Sequence, residues 1–205
     1  MPDDNPKDYL FALDEDGSTP LDEEEKQGLI PSWITFRHEL NEVEQENIAR
    51  ATVWAFRQVH KPSLEILSEP FIRSLHKRML GSVWKWAGTF RTTEKNIGVA
   101  PYQIAPDLRN LLEDAKVWLE FGTYPPDELL ARFHHRLVAI HPFANGNGRH
   151  ARLMADLLAS RLGVAALTWG GREITTTSEL RARYIDALHL ADRGQYKELV
   201  EFMRS

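Results

Sequence analysis

Residues 129–162 read LLARFHHRLVAIHPFANGNGRHARLMADLLASRL, and their periodicity decides the fold. Leu129, Phe133 and Leu137 step by four, while Leu130 and Val138 bracket the neighbouring His134. A helix apolar on two adjacent stripes packs on several sides, which predicts the central helix of an all-helical domain. Pro142 disfavours helical backbone at His141, so the helix ends there. Gly146 and Gly148 then permit backbone geometry closed to other residues. Apolar period returns at once with Leu153, Met154, Leu157, Leu158 and Leu162. The element is helix, tight glycine turn, helix.

Working outward, helical period also marks residues 106–121 and the stretches near 177–191 and 194–203. Pro70 opens a helix with Phe71, Leu75 and Leu80 apolar. Asn41 is the expected cap of a helix reaching about residue 58, with Glu42, Glu44 and Glu46 early in it, where the helix dipole favours acids. Residues 21–28 suit a short helix capped by Thr19 with Pro20 in its first turn, and residues 29–39 read as extended. Residues 87–104 (AGTFRTTEKNIGVAPYQI) break the pattern with two glycines, a proline and many β-branched residues, which predicts a β-hairpin. The expected architecture is all-α with one hairpin: an acidic leader over 1–28 and a domain over 29–205.

Composition narrows the function. Hydrophobic residues make up 42% and charged residues 27% of the 205-residue chain, a globular balance. The absence of cysteine excludes disulfides, thiol catalysis and Cys-ligated zinc. No apolar run approaches the roughly eighteen residues needed to span a bilayer. The acidic N-terminus is unlike a secretory signal, so the expected compartment is the cytoplasm. Residues 1–25 hold ten acids against Lys7 alone, a net −9, which leaves +4 for the rest from the total of −5. The leader reads as a solvated acidic run or as a docking arm for a basic partner. A body of +4 is compatible with a phosphorylated small molecule but too weakly basic to argue for nucleic acid.

The glycine turn carries the candidate chemistry. A glycine-rich loop opening a helix makes an anion nest, in which backbone N–H groups converge and the helix N-terminus adds partial positive charge. Arg149 and Arg152 flank it, and a guanidinium fork suits phosphate oxygens. Asn147 brings a short amide between the glycines. His141 lies directly upstream and has an ordinary pKa of about 6.5, which suits proton transfer near neutral pH. These groups point to chemistry on a phosphorylated nucleotide, although a histidine ending a buried helix also fits a plain core role. His134, His135, His150 and His60 lack carboxylates at ligand spacing and read as structural.

Residues 141–152, HPFANGNGRHAR, resemble the Fic family signature HxFx(D/E)GNGRxxR at every fixed position but one. The likeness extends over roughly residues 40–200, including Arg183-Tyr184-Ile185, and the N-terminal portion is similar to the mobile mystery protein B branch. The resemblance implies transfer of a nucleoside monophosphate, usually AMP from ATP, to a Ser, Thr or Tyr hydroxyl of a target protein. It implies that His141 is the base and that Phe143 packs inward to hold the loop. Gly146, Asn147 and Gly148 would hold the α- and β-phosphates, with Asn147 reaching the α-phosphate. Arg149 would meet the β-phosphate and pyrophosphate, Arg152 the γ-phosphate, and Tyr184 the adenine. The hairpin would be a flap that aligns the target by strand addition, with Lys95, Asn96, Ile97, Gly98 and Val99 as its edge.

Two departures stand out. The family places an Asp or Glu for Mg²⁺ where this chain has Asn145, whose amide oxygen adds no charge and holds the ion weakly. The family's inhibitory motif, (S/T)xxxE(G/N), is not recognisable. Its nearest match is Glu46-Asn47, and Glu42 stands four residues before Glu46 where Ser or Thr is required. Restraint is therefore expected from a separate antitoxin-like partner whose glutamate meets Arg152, with this chain as the toxin half of the pair. Two rivals remain: a Doc-like phosphotransferase that moves the γ-phosphate, disfavoured by Gly146 and Gly148, and a nucleotide-binding regulatory module without turnover, suggested by Asn145.

Overall fold

A computed structural model describes residues 21, 23–61, 63–171 and 177–205. Among the described residues eight α-helices run in chain order: α1 (Glu23–Gly28), α2 (Arg37–Gln58), α3 (Glu69–Leu80), α4 (Ile104–Phe121), α5 (Pro126–Ile140), α6 (Asn147–Leu162), α7 (Thr177–Ala191) and α8 (Lys197–Arg204). The expected leader and the Thr19 cap lie outside the described residues, except that Leu21 is buried and its N–H donates to the Thr35 carbonyl.

The central helix is α5, which touches α4, α6, α7 and α8. Its buried set includes Leu129, Leu130, Phe133, Leu137, Val138 and Ile140, which cover both expected stripes. Helix α6 packs on α5, α2 and α3, and buries Leu153, Met154, Leu157 and Leu158. Gly163 ends α6 in left-handed backbone, with its N–H on the Ala159 carbonyl.

Two expectations are corrected. Helix α2 starts at Arg37, because the Glu39 carboxylate reaches back to accept the N–H groups of Thr35 and Phe36 at 2.8 and 3.1 Å. That reach-back satisfies donors the first turn leaves unpaired, so Asn41 is inside the helix instead of capping it. The hairpin over 87–104 does not form. Among the described residues the region contributes one isolated bridge, Phe90 with Phe143. Residues 91–99 are a loop, because their backbone partners lie on residues 140–142 and on the Arg91 guanidinium, not across a second strand.

Candidate active site

The turn between α5 and α6 has left-handed backbone at both ends. His141 has φ 51° and ψ 60°, and Gly146 has φ 78°. A β-carbon at Gly146 would stand 2.6 Å from Leu80 Cδ1, so the position requires glycine on both conformation and space. The first N–H groups of α6 have no intrahelical acceptor by geometry, and the Gly146 cap carries no side chain to take them. An uncapped helix start with glycine at its entry presents unpaired N–H donors, the arrangement that suits an anion.

His141 is 2% exposed. Burial pushes its imidazole down to about 4, and the Arg91 and Lys95 cations act in the same direction, against the opposing pull of the Val138 carbonyl. At neutral pH the ring is therefore uncharged, the state a proton acceptor needs.

Asn147 is 2% exposed, and its side chain closes the turn. Its Oδ1 accepts the Phe143 N–H at 2.9 Å and its Nδ2 donates to the Phe143 carbonyl at 2.8 Å. One of the two Nδ2 hydrogens is thus taken up by the turn, which leaves the second, with the Asn147 backbone N–H, as that residue's donors. Phe143 is fully buried and stacks on His76 with ring centroids 3.7 Å apart. His76 Nδ1 accepts the Gly88 N–H at 3.0 Å, so its Nε2 carries the proton and donates to the Asn145 carbonyl, also at 3.0 Å. Burial holds His76 well below the ordinary imidazole range, which preserves this neutral tautomer. His150 donates from Nε2 to the Ile72 carbonyl and ties α6 to α3.

The two arginines differ. Arg149 Nη1 meets Glu44 Oε2 at 2.5 Å, and Glu44 Oε1 accepts from Trp84 Nε1, also at 2.5 Å. Glu44 is 3% exposed. Sequence reasoning placed it only as a helix-dipole acid, and its 105-residue separation from Arg149 leaves no local signal. The glutamate on a motif arginine here is therefore the chain's own, and the arginine is the first of the two. Arg152 is drawn down to about 10 by burial, with Tyr184 and Asp156 beside it opposing that shift. Tyr184 is fully buried, with its hydroxyl 2.7 Å from His134 Nε2, so it is a core residue at this position.

Lys95 and Asn96 are exposed, Ile97 and Val99 half-buried, and Gly98 exposed in a loop with φ 99°. The Val99 N–H is bonded to the Ile140 carbonyl, which ties this end of the 95–99 stretch to the end of α5.

Magnesium, implied by the resemblance, finds no protein-built cage. The Asn145 Oδ1 accepts the Gly146 N–H at 2.5 Å. No group of three or more His, Asp or Glu able to hold an ion occurs among the described residues. No helix among them is long and apolar enough to cross a membrane.

Fold and site together define a helical domain with a histidine-led glycine turn at its centre. Residues 66–159 match the model of the Fic/DOC family, and over that stretch the chain is similar to that family. Protein adenylyltransferase fic-1 of Caenorhabditis elegans is 32% identical over 140 residues, covering 64% of this chain and 25% of its own length. The chain thus spans about a quarter of that relative. A solved portion of C. elegans Fic-1 superposes with a TM-score of 0.62 at 30% identity, over 79% of this chain and 48% of that one. BepC of Bartonella tribocorum, solved with bound AMPPNP, shares the fold at 18% identity with a TM-score of 0.67, over 96% of this chain and 94% of its own.

Proposed function

We propose that the chain transfers AMP from ATP to a hydroxyl of a target protein. The observation that carries this reading is the pairing, across one turn, of a neutral imidazole at His141 with the uncapped start of α6, which bears Arg149 and Arg152. The curated relatives named as protein adenylyltransferases and the nucleotide analogue in BepC support the reaction class.

The residues divide the work as follows. The N–H groups of the 146–148 turn cradle the α- and β-phosphates, and α6 adds its dipole. Arg149, fixed in direction by Glu44, faces the β-phosphate, and Arg152 the γ-phosphate. His141 takes the proton of the target Ser, Thr or Tyr hydroxyl as its oxygen bonds to the α-phosphorus. The bond from that phosphorus to the bridging oxygen breaks, and pyrophosphate leaves with its electron pair. Positioning and charge neutralisation supply most of the acceleration in such displacements, and base catalysis typically adds about 10²–10⁴. Residues 29–205 form the catalytic unit, in the cytoplasm, and the loop over 95–99 meets the target. Restraint by a separate antitoxin-like partner, and membership of the mobile mystery protein B branch, belong to the same proposal.

The turnover-free nucleotide module keeps one specific observation in its favour, the occupied Asn145 amide oxygen. Label placement tests the set. With cell lysate and α-labelled ATP, protein label is expected from the wild type and not from His141→Ala. Label only from γ-labelled ATP would instead establish the Doc-like phosphotransfer. Nucleotide binding with neither label on protein would establish the module.

A further inference from the structure

The loop over residues 91–99 and the backbone around the base share one set of hydrogen bonds. Three consecutive carbonyls bracket His141, and the loop takes all three. Ile140 accepts the Val99 N–H at 3.4 Å, His141 accepts Arg91 Nε at 2.7 Å, and Pro142 accepts the Arg91 N–H at 3.0 Å. The same guanidinium then closes the loop on itself, donating from Nη1 to the Thr93 carbonyl at 2.9 Å and from Nη2 to the Val99 carbonyl. Arg91 is 5% exposed, so these bonds lie away from bulk water, where an unmade one is costly.

A non-glycine residue in left-handed backbone, as His141 is, costs about 1–3 kcal/mol and persists only where its surroundings over-determine it. The Arg91 bond to the His141 carbonyl is such a determinant. Gly98 provides a second, independent sign of close fit. A β-carbon there would stand 2.6 Å from His141 Cβ and 2.7 Å from Arg91 Nη2. The loop therefore lies directly against the base, and no side chain can be interposed.

We infer that Arg91 is a positioning residue for His141: its guanidinium fixes the backbone conformation that aims the imidazole and clamps the 91–99 loop over it. This rests on the nucleotidyl-transfer reading only for its kinetic consequence. Five donors in a fixed fork suit three carbonyls that point to one place, and a lysine ammonium on a flexible stem does not reproduce that geometry. The cations facing His141 are Arg91 and Lys95. Lys95 is exposed and is left in place in every variant below.

The test compares Arg91→Met, Arg91→Lys and Gly98→Ala with the wild type, each checked for native helical signal. His141 is titrated by proton NMR and assigned by its loss in His141→Ala. In Arg91→Met the imidazole is expected to titrate at higher pH than in the wild type, because a cation is lost and water reaches the ring. Amide exchange at Val99 is expected to quicken in the same variant. Arg91→Lys keeps the charge and so stays nearer the wild-type midpoint, yet it frees the Val99 amide. Transfer in both falls through kcat by about 10²-fold, the cost of a misplaced reacting group, with KM for ATP unchanged. Gly98→Ala is expected to reproduce the Val99 exchange with Arg91 intact. An unmoved His141 midpoint and unmoved Val99 exchange in folded Arg91→Met would overturn the inference. If the wild type transfers no label, the functional reading fails alone, since titration and exchange still decide the role of Arg91.

Discussion

At the scale of single residues, Glu44 shows how a site group escapes a sequence reading. Its carboxylate joins Trp84 and Arg149, which lie 40 and 105 residues away along the chain. A negative charge held on the guanidinium proposed to face phosphate lowers the pull of that guanidinium on an incoming anion. Glu44→Gln keeps an acceptor for the Trp84 N–H and removes the charge. ATP is expected to bind more tightly by on the order of tenfold at low salt, with the gain shrinking as salt screens it. Adenosine, which lacks phosphates, is expected to bind unchanged. Isothermal titration of both ligands at two ionic strengths measures this, and equal affinity for ATP in variant and wild type would exclude Glu44 from the phosphate site. Asn147 and Tyr184 are instructive in the other direction. Their positions were legible, but the partners that take up their polar atoms, the Phe143 backbone and His134, depend on the packed turn and core.

At the scale of elements, the helix–turn–helix of α5 and α6 was readable because each signal in it is local: apolar period, Pro142, then glycine. The 87–104 segment was misread for a physical reason. Its composition favours extended backbone, yet what extended backbone pairs with is decided elsewhere, here by carbonyls at 140–142 and by one buried arginine. The start of α2 moved five residues because a side chain, Glu39, supplied the cap from inside the helix. The two glycines that bound α6 separate conformation from space. Gly163 has φ 69° and open space within 4 Å of where a β-carbon would stand, whereas Gly146 has φ 78° and Leu80 at 2.6 Å. Gly163→Ala is expected to cost about 1–2 kcal/mol, the left-handed penalty alone. Gly146→Ala adds about 1–3 kcal/mol of overpacking, because Leu80 is fully buried and has little room to yield. Only the second is expected to weaken ATP binding. Urea unfolding and nucleotide titration of both variants check the pair, and equal losses in stability would mean that Leu80 swings aside freely.

At the scale of the whole molecule, four histidines are buried in uncharged form: His76 well below its ordinary range, His134 at about 3, and His141 and His150 at about 4. Burial is the first cause in each. In the unfolded chain all four titrate near 6.5. Above that value neither state binds these protons and the fold keeps its full stability. As pH falls below it, the unfolded chain takes up protons that the folded one refuses, so stability declines toward pH 4. Asp156 opposes this. Burial raises its carboxyl from 3.8 to about 6, against the Trp169 N–H and the Arg152 cation. The folded state therefore binds one proton that the unfolded state lacks in that window, a contribution gained on acidification and lost as pH rises through 6. Four groups outweigh one, and the midpoint of urea unfolding is expected to fall steadily from pH 7 to pH 5. His150→Gln retains an N–H donor for the Ile72 carbonyl and cannot titrate, so it should flatten that slope by about 1.4 kcal/mol per pH unit at most. A wild-type midpoint that holds level or climbs on acidification would mean that these imidazoles take up protons inside the fold as readily as in the unfolded chain. His141 would then titrate near the ordinary imidazole value, and the proton-refusing burial assigned to it would be absent.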